Sequence, residues 1–185
     1  MKFLEKFIIQ AQRGDLGTKD YNEFWNEFDF KVKVSFGMGT AAKIPWISFL
    51  APSMSTSQGF YPVYLYYKEQ DVLFLSFGIS ETHSFQGTFE SKDSSVNWSN
   101  KILQTYPEIS SLIENPKRYG NSFCFKKYFP VVSKNKVLFL DENQKQINSD
   151  ELRNDLVNIL DIYSEELDFM FEKPEVNSQN NSIFL

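Results

Sequence analysis

What this sequence lacks narrows it quickly. Its 185 residues hold one cysteine, Cys124, and one histidine, His83. An internal disulfide, a cysteine-rich zinc site and a paired-histidine metal motif are therefore all excluded. No GxxxxGK followed by Ser or Thr occurs, and no GxGxxG follows a strand-like run, so nucleotide hydrolysis is not expected; Gly37-Met38-Gly39 alone is too short for a phosphate loop. One cysteine cannot supply the H-x-E plus C-x-x-C set of a zinc deaminase. Helix-turn-helix, zinc-finger and RNP signatures are missing as well. The apolar run over residues 1–9 is short and carries Lys2, Glu5 and Lys6, which fits neither a signal peptide nor a membrane span. A cytoplasmic protein without membrane, metal or cofactor is the expectation.

Aromatic side chains are what the sequence has in excess: 19 Phe, 9 Tyr and 3 Trp. Many must pack inside, and the remainder suit a surface that holds a flat ligand. The net charge of −5 hides an uneven distribution. Residues 31–136 carry 12 basic and 7 acidic side chains, whereas residues 137–185 carry 3 and 11. A binding face responds to local field, so the basic middle matters more than the total.

Apolar residues at one-turn spacing (Phe3, Leu4, Phe7, Ile8, Ala11) predict an amphipathic helix over residues 2–13, with Gly14 near its end. Tyr21, Phe24, Trp25 and Phe28 fit a further short helical stripe or a loop. Strict alternation from Phe30 to Phe36 predicts a strand with Phe30, Val32, Val34 and Phe36 on one face and Lys31, Lys33 and Ser35 on the other. Two glycines then leave Met38 standing on a narrow loop. Strands are predicted at 44–50, 59–67 and 72–79, the last two as a hairpin across KEQD, with Pro45 and Pro62 marking a strand start, an edge or a bulge. Residues 84–100 read as a polar loop anchored by Phe85, Phe89 and Trp98, followed by short helical pieces at 100–106 and 109–114. Residues 115–120 form a basic turn, and 122–132 and 136–140 read as strands. The clearest helix starts near Asn148 with Glu151 placed for a capping box, and runs along Leu152, Leu156, Ile159, Leu160, Tyr163, Leu167 and Met170. The expected domain is 1–173, with 174–185 a linker or tail.

The stretches VSFGMGTAAKIPWISFL, GFYPVYLYYKE and LSFGISET, preceded by EKFIIQAQ and TKDY and followed by NPKRYGNSF, resemble the N-terminal DNA-binding domain of the McrB family. These are specificity subunits of modified-cytosine-dependent restriction systems. The resemblance implies a domain that flips a methylated or hydroxymethylated cytosine into an aromatic pocket. It implies partners too: duplex DNA containing modified cytosine, a GTPase motor of the AAA+ type on the same or a separate chain, and a McrC-type nuclease. By the same resemblance Trp46 gauges the base, Tyr61 and Leu65 line the pocket, Tyr119 closes it, and Met38 is the wedge where the family can carry a tyrosine. Lys31, Lys33, Lys43, Lys117, Arg118, Lys126 and Lys127 are the candidates for backbone phosphate contact, although a solvated surface is the usual fate of lysines. On the residues alone, Trp46 and Tyr61 also fit ordinary sheet-core aromatics.

The expected fold is α+β, a curved, largely antiparallel sheet flanked by N- and C-terminal helices, monomeric in isolation and without catalysis of its own. Two other classes stay open. One is a protein-interaction module that uses the aromatic face. The other is a base-flipping, glycosylase-like enzyme with Glu81 and His83 as an acid-base pair. Cys124, in an aromatic strand, reads as core.

Overall fold

The computed structural model describes residues 1–19, 21, 30–52, 54–57, 60–79 and 99–171. Helix α1 (Lys2–Arg13) leads into strands β1 (Lys31–Ser35), β2 (Trp46–Leu50), β3 (Phe60–Tyr67) and β4 (Val72–Ile79). Helix α2 (Ser99–Thr105) and a 3-10 turn (Ile109–Ser111) follow. Strands β5 (Phe123–Ser133), β6 (Lys136–Leu140) and β7 (Gln146–Ile147) and helix α3 (Ser149–Phe171) complete the order. The seven strands form one open antiparallel sheet in strict chain order. This is the expected α+β architecture, with the strand 72–79 and helix 2–13 at their anticipated bounds. The two-residue β7 is too short to show any alternation in the sequence. The expected stripe over Phe24, Trp25 and Phe28, the anchors Phe85, Phe89 and Trp98, the pair Glu81 and His83, and the tail 174–185 lie outside the described residues.

Helix α1 shows that the sheet is curled. Its Phe7 ring lies 5.3 Å from the ring of Phe36 at the end of β1, yet the same helix packs on β6. Five strand spacings separate β1 from β6, roughly 24 Å in a flat sheet, far wider than a helix. Only a sheet wrapped around α1 brings both within reach.

Register sorts the side chains onto two faces, because successive residues of a strand alternate. Phe60, Tyr64 and Tyr66 of β3 meet the helices: Tyr163 of α3 donates to the Phe60 carbonyl at 2.8 Å, and Gln12 of α1 donates to the Tyr66 hydroxyl at 3.1 Å. Tyr128 of β5, which pairs with Leu73, donates to Asp155 of α3 at 2.9 Å on this face. Tyr61, Val63, Leu65 and Tyr67 therefore look the other way. All eight residues of β3 are buried, so both faces of this strand are covered. Pro62 sits inside it without breaking the ladder because pairing with β2 stops at Val63, which makes β3 locally an edge at the proline.

The long helix begins as its sequence requires. The Asn148 side chain accepts from the backbone N–H groups of Asp150 and Glu151 at 2.9 and 3.0 Å, and Glu151 accepts from the Asn148 N–H at 2.8 Å. Such a reciprocal cap satisfies donors that the first turn leaves orphaned. Leu152, Leu156, Ile159, Leu160, Tyr163 and Leu167 are buried along one stripe. Among the described residues no helix is long and apolar enough to cross a membrane.

Candidate nucleic-acid interface

The sheet face turned away from α1 and α3 holds a cavity of about 300 Å³. Its floor is Val63 of β3 and Gly78 of β4. Glycine is needed there for space: a Cβ on residue 78 would stand 2.6 Å from Val63 Cγ1 and 3.4 Å from Tyr61 Cε2. The walls are Trp46 of β2, Tyr61 and Leu65 of β3, and Tyr119 with Ser122 from the turn before β5. Register brings them together, with Trp46 opposite Leu65 and Tyr61 opposite Gly78. All four residues expected to line a pocket lie on this one cavity.

Two tyrosine hydroxyls fix the walls. Tyr61 donates to the Thr56 carbonyl at 3.1 Å and ties the loop after β2 to the cavity. Tyr67 donates to the Arg118 carbonyl at 2.6 Å and holds the 115–120 turn against the sheet. Tyr119 itself has φ 59, an uncommon conformation for a bulky residue. Arg118 lies over the Tyr119 ring, 4.9 Å from its centroid, so a guanidinium sits at the cavity wall.

Met38 stands at the mouth, 96 % exposed and still in contact with the cavity. The loop beneath it is tight: Ala42 N–H donates to the Phe36 carbonyl at 2.7 Å, and Gly37 adopts φ 116. Any Cβ at residue 37 would stand 2.0 Å from the Thr40 carbonyl oxygen. Glycine thus permits a short, pinned loop that presents a thioether to solvent.

The cations divide into groups. Lys31 and Lys33 of β1 pair with Leu50 and Ser48, which puts them on the cavity face, with Lys31 exposed. Lys43, just after the Met38 loop, and Lys117, beside Arg118, both pair with Glu69 of the β3–β4 turn, at 3.2 and 2.9 Å. Those hydrogen bonds, Lys117 foremost, hold the Glu69 carboxyl below its ordinary range, and the Lys117 ammonium is raised in return. Lys126 pairs with Asp155 of α3 at 3.5 Å on the helix face, and Lys127 reaches Glu142 at 3.9 Å. Those two stand apart from the cavity.

Sequence reasoning passed over Gly78, Val63, Ser122 and Glu69. A glycine inside the mostly apolar VLFLSFGI was the one available signal, since glycine in a strand often marks close approach. Cys124 is buried, which pushes its thiol up to about 12 and leaves it unreactive. No group of His, Cys, Asp or Glu that could hold a metal occurs among the described residues.

The chain matches the model of the "MrcB-like, N-terminal domain" family over residues 4–167. It is also 38 % identical over 130 residues to the "Type IV methyl-directed restriction enzyme EcoKMcrB subunit" of Escherichia coli (strain K12). That match covers 68 % of this chain and 26 % of the relative, so the chain spans about a quarter of that relative's length. A family match across nearly all of the described sheet and helices, joined to identity at this level, is decisive: the chain belongs to the MrcB-like N-terminal domain family.

Proposed function

We propose that this chain is the DNA-reading module of a restriction system. In this reading it binds duplex DNA and holds one extruded, modified cytosine in the cavity, and it has no catalytic role of its own. Cleavage then falls to a GTPase motor and a McrC-type nuclease that this module directs to modified DNA in the cytoplasm. The observation that supports the reading best is the pairing of one ring-sized aromatic cavity with an exposed apolar loop tip at its mouth.

The steps follow from the side chains. Lys31, Lys33, Lys43, Lys117 and Arg118 draw in the phosphate backbone without regard to sequence. Met38 enters the base stack as an apolar wedge and occupies space left by the extruded base. The base then lies among Trp46, Tyr61, Leu65 and Tyr119. Stacking of this kind contributes roughly 1–3 kcal/mol per base, which offsets much of the few kcal/mol that extrusion costs. A methyl or hydroxymethyl group at C5 adds apolar contact with the wall at Trp46 and so favours the modified base.

The test is a titration of one duplex in unmodified, 5-methylcytosine and 5-hydroxymethylcytosine forms at two salt concentrations. Tighter binding of a modified form, weakened by salt, is expected, and Trp46→Ala is expected to erase the preference while leaving non-specific affinity. Equal affinity of the wild-type protein for all three duplexes would sink the reading.

A further inference from the structure

The walls of the cavity are mostly carbon, and carbon walls accept any flat ring of suitable size. Tyr61 has its hydroxyl engaged by the Thr56 carbonyl, and Ser57 Oγ lies 3.2 Å from Ser55 Oγ. Ser122 differs. It lines the cavity, is fully buried, and its Oγ has no hydrogen-bond partner. Its backbone is pinned, since its N–H donates to the Tyr119 carbonyl at 3.0 Å and its carbonyl accepts from Ile109 at 2.9 Å. A buried hydroxyl left unpaired lowers stability, so a fold that keeps one against a cavity gains when a ligand supplies the missing partner.

Resting on the function proposed above, we infer that the Ser122 hydroxyl holds the polar edge of the inserted base and is a specificity-determining contact of the cavity. A hydroxyl both donates and accepts, which matches an edge that carries an amino group beside ring nitrogen and carbonyl acceptors. The ligand class is therefore a planar heterocycle with a hydrogen-bonding edge, held by Ser122, and not merely a flat apolar group.

The fold supplies its own control. Ser76 of β4 is also fully buried with an unpaired Oγ, and it shares the cavity face of the sheet, but it does not line the cavity. Removing either hydroxyl relieves the same kind of penalty, so Ser122→Ala and Ser76→Ala are both expected to melt at or above the wild-type temperature. Their DNA behaviour separates them. Ser122→Ala is expected to bind a 5-methylcytosine duplex about tenfold more weakly, with an unchanged affinity for the same duplex carrying an abasic site at that position. Ser76→Ala is expected to match the wild type on both.

The inference is overturned if Ser122→Ala stays within about twofold of wild type on the modified duplex, or if its loss is equal on the abasic one. If in either case Trp46→Ala still erases the modification preference, the base-reading function stands and this contact alone falls. If the wild-type protein shows no preference for a modified duplex, both fall together.

Discussion

The two faces of the sheet are built to opposite rules. On the helix face, Tyr64, Phe77 and Tyr128 are buried beneath the helices and Tyr163 of α3 packs down onto them; the hydroxyls of Tyr128 and Tyr163 are bonded, that of Tyr64 is not. On the cavity face, Ser48, Val63, Ser76 and Gly78 form a patch of smaller side chains among the rings of Trp46, Tyr61, Tyr67 and Phe74. The strands are the same, so the contrast lies only in which residues alternate. One parity supplies stability and the other leaves a hollow. A hollow lined by aromatics costs stability through the packing contacts it forgoes, and such a cost is tolerated where a ligand is held.

Four substitutions probe the contrast. Tyr163→Ala, on the packed face, is expected to cost about 3–5 kcal/mol in urea unfolding and to leave the modified-to-unmodified affinity ratio of the folded protein unchanged. A loss below about 1 kcal/mol would show that this face is not the stability core. Gly78→Ala, on the hollow face, should cost about 1–3 kcal/mol through overpacking against Val63 and also abolish the affinity ratio, because it fills the floor. Retention of the ratio would remove Gly78 from the site.

Tyr119→Gly should separate the two properties. Relief of a left-handed backbone offsets the lost ring contacts, so stability should stay within about 1 kcal/mol by thermal melting while affinity for modified duplex falls. An unfolded variant would instead make Tyr119 a packing residue. The smallest effect is expected at Glu69. Glu69→Gln releases Lys43 and Lys117, so affinity for every duplex should rise alike and the salt dependence should steepen, as read by titration at several salt concentrations. Acidification has the same sign. The Glu69 carboxylate is depressed, so its hold on both lysines is complete near neutrality and fades only as pH falls through that lowered value.

Much of the fold was legible because it rests on local rules. The period of Phe3, Leu4, Phe7, Ile8 and Ala11 gave helix α1, the Asn148/Glu151 spacing gave the start of α3, and the KEQD turn between two apolar runs gave the β3–β4 hairpin. Within the cavity, Tyr61 and Leu65 share a face by spacing alone, whereas the placing of Trp46 and Tyr119 came from family resemblance. What escaped was what only register decides. Gly78 meets the cavity through its register opposite Tyr61 in the β3–β4 hairpin, Ser122 through the turn that the sheet places beside it before β5, and Glu69 meets its two lysines across separate loops. Lys126 and Lys127 show the same gap in miniature. Adjacent residues on a strand point to opposite faces, so one basic pair cannot present both charges to one side.

The strict chain order of the sheet also bears on how the protein forms. Each strand pairs with the one made just before or after it, so the β3–β4 and β5–β6 hairpins close short loops, whereas the β4–β5 pairing must close the long connection over residues 80–122 and carries the largest loop-closure cost. The two helices on the aromatic face differ in timing, because α1 precedes every strand and α3 follows them all. During synthesis the part of the aromatic face that α1 reaches is covered early, and the part that α3 covers stays open until that helix emerges. A pause in translation before residue 149 would expose Phe60, Tyr64 and Tyr128 together, which makes chaperone capture or aggregation at that stage the natural hazard of this fold.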